Sequence, residues 1–266
     1  MVLSVEQLEV PVSPDFVLHD VDFHLPAGSR LALIGPNGSG KSTLLKALIL
    51  ALPGRGRVLL DGRPLAALSA RARARALCLL PQQEEGGAAF SVEDYVRLGR
   101  YPHLGWLGSF SALDQERVDW ALEQAGCRAW RARRLGELSG GERQLVRLAA
   151  ALAQESRILL LDEPAAFLDP GQRRRLWERL EHVLAGEGLS LVFVSHDVNE
   201  VLRRADRYLA LQGGAGLRSG PVAELAEGDW LGDLYGLPLQ AHRLPGQARP
   251  WLLERDAAPA AGSGSA

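Results

Sequence analysis

The stretch Gly35-Pro36-Asn37-Gly38-Ser39-Gly40-Lys41-Ser42-Thr43 constrains this chain more than any other. Its spacing is Gly, four residues, Gly, Lys, then Ser or Thr. The apolar run Arg30-Leu31-Ala32-Leu33-Ile34 precedes it, and residues 44–52, mostly good helix formers, follow. Strand, glycine-rich turn, then helix is the setting that a phosphate-binding P-loop requires. Gly35, Gly38 and Gly40 let the backbone take conformations that a side chain would block. The loop N–H groups can then converge into a concave anion site. A helix starting near Lys41 adds its free N–H groups and the positive end of its dipole. Lys41 supplies a charge for the outer phosphates, and Ser42 a hydroxyl for Mg²⁺. These residues predict that the chain binds a nucleoside triphosphate.

A second group of polar residues stands at the ends of apolar runs. Ile158-Leu159-Leu160-Leu161 reads as a buried strand and runs into Asp162-Glu163-Pro164. Two adjacent carboxylates at the end of such a strand are costly unless they serve a cation or a reaction. The ends of strands in open αβ sheets are also where ligands bind. Asp162 is therefore expected to hold Mg²⁺, directly or through water, and Glu163 to polarise a water. Ser190–Val194 reads as another buried strand with Ser195-His196-Asp197 at its end, which adds His196 to the same edge.

Leu138-Ser139-Gly140-Gly141-Glu142-Arg143-Gln144 opens a helix, with Ser139 and Glu142 at capping-box spacing. Leu145, Leu148, Ala149 and Leu152 continue it as an apolar stripe. Two glycines in a first turn cost about 1 kcal/mol each relative to Ala. They make more sense where a phosphate approaches the backbone.

The remaining elements frame these motifs. Val5–Val10 and His19–Leu25 read as antiparallel strands, and Arg57–Leu60 as a strand ending at the turn Asp61-Gly62. Leu65–Ala76 reads as one helix and Leu77–Leu80 as a strand leading to Pro81-Gln82-Gln83. Ser91 to Ala153 shows helical periodicity without a strand, with a helix over Ala112–Ala125. Pro170–Ala185 and Val198–Ala205 read as helices, with Arg173, Arg174 and Arg175 on a solvated face. Tyr208–Leu211 reads as a strand before a Gly-rich turn. Trp230–Tyr235 suggests a short helix, and segments 237–242 and 248–253, around Pro245-Gly246, a hairpin. The expected organisation is residues 1–84, a β subdomain and the first half of a core; 85–153, a helical subdomain; 154–228, the second half of the core; 229–254, a helix and hairpin; and 255–266, a disordered tail.

Composition narrows the class. The chain has 266 residues, 47% apolar, with a net charge of −2, which describes a globular protein and argues against bulk nucleic-acid binding. Of its 30 Lys and Arg residues only Lys41 and Lys46 are lysines. A lysine inside the P-loop is notable against that bias, because an ammonium and a guanidinium fork are not interchangeable. Cys78 and Cys127 lack metal-ligand spacing and read as free thiols of a reducing compartment. No apolar run approaches the ~18 residues of a membrane span, and the start lacks a secretory pattern. A cytoplasmic location is expected.

Taken together, these motifs resemble the ATP-binding subunit of an ABC transporter, from the first strands to about Leu253. Gly35–Thr43 matches that family's Walker A loop, Gln82 its Q-loop glutamine, and Leu138–Gln144 its LSGGQ signature with Glu142 in place of the usual Gln. Asp162 is similar to the Walker B aspartate, Glu163 to the catalytic carboxylate, Leu168-Asp169 to the D-loop and His196 to the switch histidine. The resemblance implies an α/β fold, a RecA-like P-loop NTPase core with an antiparallel β subdomain and an inserted helical subdomain. It implies ATP and Mg²⁺ as ligands, with Ser42, Gln82 and Asp162 around the metal. It also implies a head-to-tail homodimer in which Ser139, Gly140, Gly141 and Glu142 reach the ATP of the other copy. Two departures stand out. The aromatic on which the family stacks adenine falls by spacing near Val12, with Phe16 four residues later, and Ala165-Ala166-Phe167 replaces the commoner approach to the D-loop.

Val92–Pro102 resembles the "V..LV..GR.P" segment of importers of metal chelates: cobalamin, ferric siderophores and haem. This implies a translocase ATPase on the cytoplasmic face of the inner or plasma membrane. Its partners would be two integral membrane permease subunits and, indirectly, a periplasmic or surface solute-binding protein, with no nucleic acid. The alternatives are the ATPase subunit of another ABC importer or exporter, and a soluble ABC ATPase acting on ribosomes or DNA. One cassette without a charged linker or long coiled coil disfavours the last.

Overall fold

The computed structural model describes residues 3–82, 86–105, 108–166, 168–242 and 249–254. The chain opens with two antiparallel strands, β1 (Leu3–Ser13) and β2 (Phe16–Leu25), paired from Leu3↔Leu25 to Ser13↔Phe16. Both outrun the expected alternation, because each changes phase once. Gln7 and Asp20 take positive φ values of 48° and 52°. These irregularities move the inward set from Leu3 and Val5 to Leu8 and Val10, and from Leu18 to Val21, Phe23 and Leu25. Strand β3 (Arg30–Ile34) leads into the P-loop and helix α1 (Lys41–Leu48). Strand β4 (Arg55–Leu60) pairs with β1 and turns at Asp61-Gly62, both at positive φ as a tight hairpin turn requires, into β5 (Arg63–Pro64).

The segment expected as one helix over Leu65–Ala76 is two. A single 3₁₀ turn, Leu65–Ala67, ends at an extended Leu68, and α2 (Ala70–Ala76) starts afresh with the Ser69 hydroxyl capping Ala72 N–H. Ser69 was the available sign of the break. Strand β6 (Leu77–Leu80) follows.

The next stretch is helical, as its periodicity implied. It holds α3 (Val92–Leu98), α4 (Ala112–Ala125) and α5 (Gly140–Ala153), started by Ser91, Ser111 and Ser139; α4 is ended by Gly126 at φ 69°. Its one β feature among the described residues is an isolated bridge, Ser91↔Arg134. Gly99 and Arg100 knit the helices together. A Cβ on Gly99 would lie 2.2 Å from the Ala150 carbonyl oxygen. The buried Arg100 guanidinium meets Asp114 at 3.0 Å, Glu155 at 2.5 Å and the Ala153 carbonyl at 2.7 Å. A buried cation is tolerable only when its donors are paired in this way. On α5 the buried face is broader than the expected stripe: Val146 and Ala153 join it, while Leu145 is half-buried.

Strand β7 (Ile158–Asp162), helix α6 (Pro170–Glu187), β8 (Ser190–Val194), α7 (Val198–Arg204) and β9 (Arg207–Gln212) complete the alternating half. Beyond the Gly-rich turn after β9 lies a further strand that the sequence does not signal, β10 (Ala215–Pro221), antiparallel to β9 and beside β2 at Ala215↔His19. This strand joins the antiparallel and parallel parts into one ten-stranded sheet, β5-β4-β1-β2-β10-β9-β3-β8-β7-β6. Helix α8 (Trp230–Tyr235) and a hairpin of β11 (Leu239–His242) and β12 (Trp251–Glu254) close the described chain. The expected turn at Pro245-Gly246, the tail 255–266 and Phe167 lie outside the described residues.

The central strands are parallel and apolar throughout because both faces are covered. Leu31, Leu33, Ile158, Leu160, Val192 and Val194 pack on one side, with Leu44, Leu45 and Leu48 of α1. Their alternates Ala32, Ile34, Leu159, Leu161, Leu191 and Phe193 pack on the other, with α5, α6 and α7. Trp177 of α6 meets Phe193 edge-on at 5.2 Å between ring centroids.

Candidate functional site: a phosphate cradle and a carboxylate–histidine pair on one sheet edge

Strand register places the polar residues side by side. Leu33 pairs with Val194, Val194 with Asp162, and Leu80 with Leu161, all in parallel ladders. The P-loop, Ser195–Asp197, Asp162-Glu163 and Pro81-Gln82 therefore leave the C-terminal ends of four adjacent strands, the edge at which open αβ sheets bind ligands.

The P-loop depends on its glycines. Gly35 has φ 139°, and a Cβ there would lie 2.1 Å from the Leu211 carbonyl oxygen and 2.9 Å from Ser39 Oγ. Gly40, at φ 100°, stands directly before α1, whose first N–H groups end in this loop. Lys41 is buried, and its ammonium donates to the Gly35 and Pro36 carbonyls at 2.8 and 2.9 Å. Burial lowers the Lys41 pKa below the ordinary lysine value, opposed by the Glu163 and Asp162 carboxylates. Its partners are the two backbone carbonyls and, at 3.5 Å, Ser39 Oγ, all of them neutral, so Lys41 can move onto an arriving anion. Pro36, Asn37, Gly38, Ser39 and Thr43 complete the cradle, with Asn37 exposed and Ser39 buried. Phe16 is half-buried with its ring edge at the Gly40 end, where a Cβ on Gly40 would meet Phe16 Cζ at 3.4 Å. Val12 is exposed.

Asp162 is 5% exposed, and its Oδ1 is a buried oxygen without a hydrogen-bond partner. Burial raises its carboxyl above the usual range and Glu163 adds to the rise, while a hydrogen bond from Ser42 and the charges of Lys46 and Lys41 oppose it. An orphaned carboxylate oxygen beside a hydroxyl fits a hard cation, which takes oxygen ligands. Among the described residues no cluster of three His, Cys, Asp or Glu side chains could hold a metal by itself. Ser42 and Asp162 therefore match a Mg²⁺ completed by phosphate oxygens and water, as nucleotide-bound Mg²⁺ commonly is.

Glu163 breaks out of its strand with φ 49°, an uncommon conformation for a non-glycine residue. Its two carboxylate oxygens are both engaged. Oε1 lies 2.6 Å from His196 Nε2, and Oε2 accepts from Gln82 Nε2 at 2.9 Å. The structure thus brings together three residues that the sequence singled out separately, and the bond it gives Gln82 is to Glu163. A cleft of about 450 Å³ opens here, lined by Glu163, His196, Arg173 and Glu200 among others. Arg173 and Glu200 were missed by sequence reasoning. Arg173, expected on a solvated face, has its Nε buried without a hydrogen-bond partner. Buried Glu200 accepts from Ser195 Oγ at 2.8 Å, and Asp197 caps α7 through Asn199 and Glu200 N–H; together they hold the loop that carries His196.

The helix-start motif holds its expected box: Glu142 N–H donates to Ser139 Oγ at 3.3 Å, and Ser139 N–H to Glu142 at 2.7 Å. The Ser139 N–H and then its hydroxyl hold the Glu142 carboxyl below its ordinary range. Ser139 and Gly140 are exposed, and a Cβ on Gly140 would meet open space. Gly141 has an internal reason to be glycine, because a Cβ there would lie 2.5 Å from Gln172 Oε1.

Comparison with known proteins bears on this geometry. The family model described as ABC transporter matches residues 18–166, more than half of the chain. A shorter match, residues 131–203, is to an AAA domain described with the AbiEii toxin. The hemin import ATP-binding protein HmuV of Pseudomonas putida is 40% identical over 262 residues, 95% of this chain and 100% of that protein. The petrobactin import ATP-binding protein FpuC of Bacillus anthracis is 33% identical over 251 residues, 94% and 92% of the two chains. A solved inward-facing metal-chelate type ABC transporter aligns with a TM-score of 0.81 at 27% identity, covering 94% of this chain and 95% of that one. A glycine-dependent P-loop, a carboxylate–histidine pair on the same sheet edge and likeness along nearly the whole length agree: the chain belongs to the ABC transporter family, as one of its ATP-binding subunits.

Proposed function

We propose that this chain hydrolyses ATP at sites shared between two copies of itself, and that the cycle drives import of a metal chelate through separate membrane subunits. The observation that carries the chemistry is Glu163 held between His196 and Gln82, on the same sheet edge as the P-loop. Lys41 and the N–H groups of residues 38–43 would bind the phosphates. Mg²⁺ held by Ser42 and Asp162 would neutralise phosphate charge. Glu163 would orient and deprotonate the attacking water. His196, released from Glu163, would steady the γ-phosphate as charge shifts in the transition state. Phe16 beside Gly40 is the candidate support for the adenine.

Exposed Ser139 and Gly140, at the start of a 14-residue helix, supply the part of the site offered to a second copy. There Glu142 spends its carboxylate on the cap and leaves the Gly140 end open. Gln82 would report the state of Glu163 to the membrane subunits, with the helical segment 85–153 passing the movement on. No described helix is long and apolar enough to cross a membrane, so the path for cargo belongs to other chains, and this one would sit at the membrane's cytoplasmic face.

The cargo class rests on relatives that import petrobactin and hemin; a ferric siderophore or haem therefore stands ahead of cobalamin. The test is reconstitution of the chain with its membrane subunits, offering a binding protein loaded with each chelate in turn. Stimulation of ATP hydrolysis by one of them supports the reading and names the cargo. Co-purification with ribosomes, or stimulation by none, contradicts it.

A further inference from the structure

The P-loop is touched from an unexpected place. Gly35 N–H, the first of the loop, donates to the phenol oxygen of Tyr235 at 3.1 Å, two hundred residues away in sequence. Gly35 follows directly on the last residue of β3, and its carbonyl accepts from Lys41 Nζ. One end of this peptide position is thus tied to the phosphate-binding lysine and the other to Tyr235.

Tyr235 is itself well held. It is the last residue of α8, whose Leu231 and Leu234 are buried. At the other end of α8, Trp230 stacks on Tyr208 at 5.5 Å between centroids, and Tyr208 pairs with Ala32 in the ladder that leads to the loop. The hairpin that follows is fastened to α7. The Asn199 side chain bonds both the Leu252 carbonyl and N–H, at 2.9 and 2.8 Å, and Arg249 donates to the carbonyls of Leu202 on α7 and of Ala205 just after it. The described residues from α8 to β12 are therefore tied at two points, and only one of them reaches the P-loop: Tyr235 holds its start, while the hairpin is fastened to α7.

We infer that Tyr235 is a positioning residue for ATP binding, its phenol holding Gly35 so that the loop's N–H groups stay convergent before the nucleotide arrives. This rests on the reading of residues 35–43 as the ATP cradle. A loop ordered in advance loses less freedom on binding, so the tether acts on affinity. It does not touch the reacting atoms, so turnover at saturation is independent of it.

The test uses the full chain with Tyr235→Phe, which keeps the ring and removes only the oxygen. Binding of a non-hydrolysable ATP analogue is titrated, KM and kcat are measured separately, and melting without nucleotide checks that α8 stays packed. The expected result is a dissociation constant and KM raised about fivefold, the scale of one lost hydrogen bond, with kcat within about twofold of wild type. Unchanged affinity in a folded Tyr235→Phe chain overturns the inference. So does a fall in kcat with affinity intact, which would put Tyr235 in the chemical step. If Tyr235→Phe melts early, Asn199→Ala separates the cases: loosened at the hairpin only, it should keep wild-type affinity, and an equal loss there would mean general destabilisation and sink the tether. Lys41→Ala is measured in parallel. Analogue binding that survives Lys41→Ala would refute the cradle itself, a failure distinct from that of Tyr235.

Discussion

His196 Nε2 and Glu163 Oε1 lie 2.6 Å apart, while the other Glu163 oxygen accepts from Gln82. The carboxylate that would activate water is thus engaged on both oxygens. A γ-phosphate offers His196 a more highly charged partner, so nucleotide arrival would free Glu163 only when there is something to hydrolyse.

That arrangement makes His196 a contributor to turnover rather than to affinity. His196→Ala should lower kcat by about 10²-fold, the scale of one lost transition-state donor. ATP-analogue binding should stay near wild type. A titration beside a steady-state assay checks both, and an affinity loss matching the kcat loss would count against the role.

Asp162 gives a prediction with a pH sign. Its carboxyl is raised by burial, so between its unfolded and folded values the folded chain holds a proton that the unfolded chain has lost. Stability from this group therefore falls as pH rises through that window and stays low above it. Asp162→Asn removes the penalty. The nucleotide-free variant should melt above wild type at pH 7.5, with the gain shrinking as pH falls through the window from the raised value to the ordinary carboxylate value and absent below it. ATP with Mg²⁺ should stabilise wild type by about 2.7 kcal/mol at a hundredfold excess over Kd, and the variant by much less. Melting curves at several pH values, with and without nucleotide, decide it.

The core under the site should be intolerant of truncation. Trp177 is 1% exposed and packs edge-on against Phe193, two residues before the Ser195–Asp197 loop. Trp177→Ala should cost about 3–5 kcal/mol, read as a lowered denaturation midpoint. A cost below 1 kcal/mol would mean the surrounding helices collapse into the space.

The sequence was most legible where the physics is local. The P-loop between β3 and α1, the Ser139–Glu142 box, the turn at Asp61-Gly62 and the acids ending β7 each lie within a few residues of their cause. Strand β10 was not legible: its run Ala215–Pro221 has two internal glycines and earns its place by pairing with β9 and β2. Tyr235 on Gly35 and Asn199 on Leu252 were equally hidden, because no periodicity reports a contact across tens or hundreds of residues. Arg173 shows the opposite error. Its neighbours Arg174 and Arg175 are exposed as their type suggests, while one position earlier the helix turns toward the cleft.

Glu163 would activate the water at a site that a second copy completes. Glu163→Gln keeps the shape of the side chain and removes its basicity. In the full chain it should cut ATP hydrolysis by at least about 10²-fold, retain ATP binding and elute as a dimer when ATP is present. Hydrolysis near the wild-type rate by this variant would contradict the account.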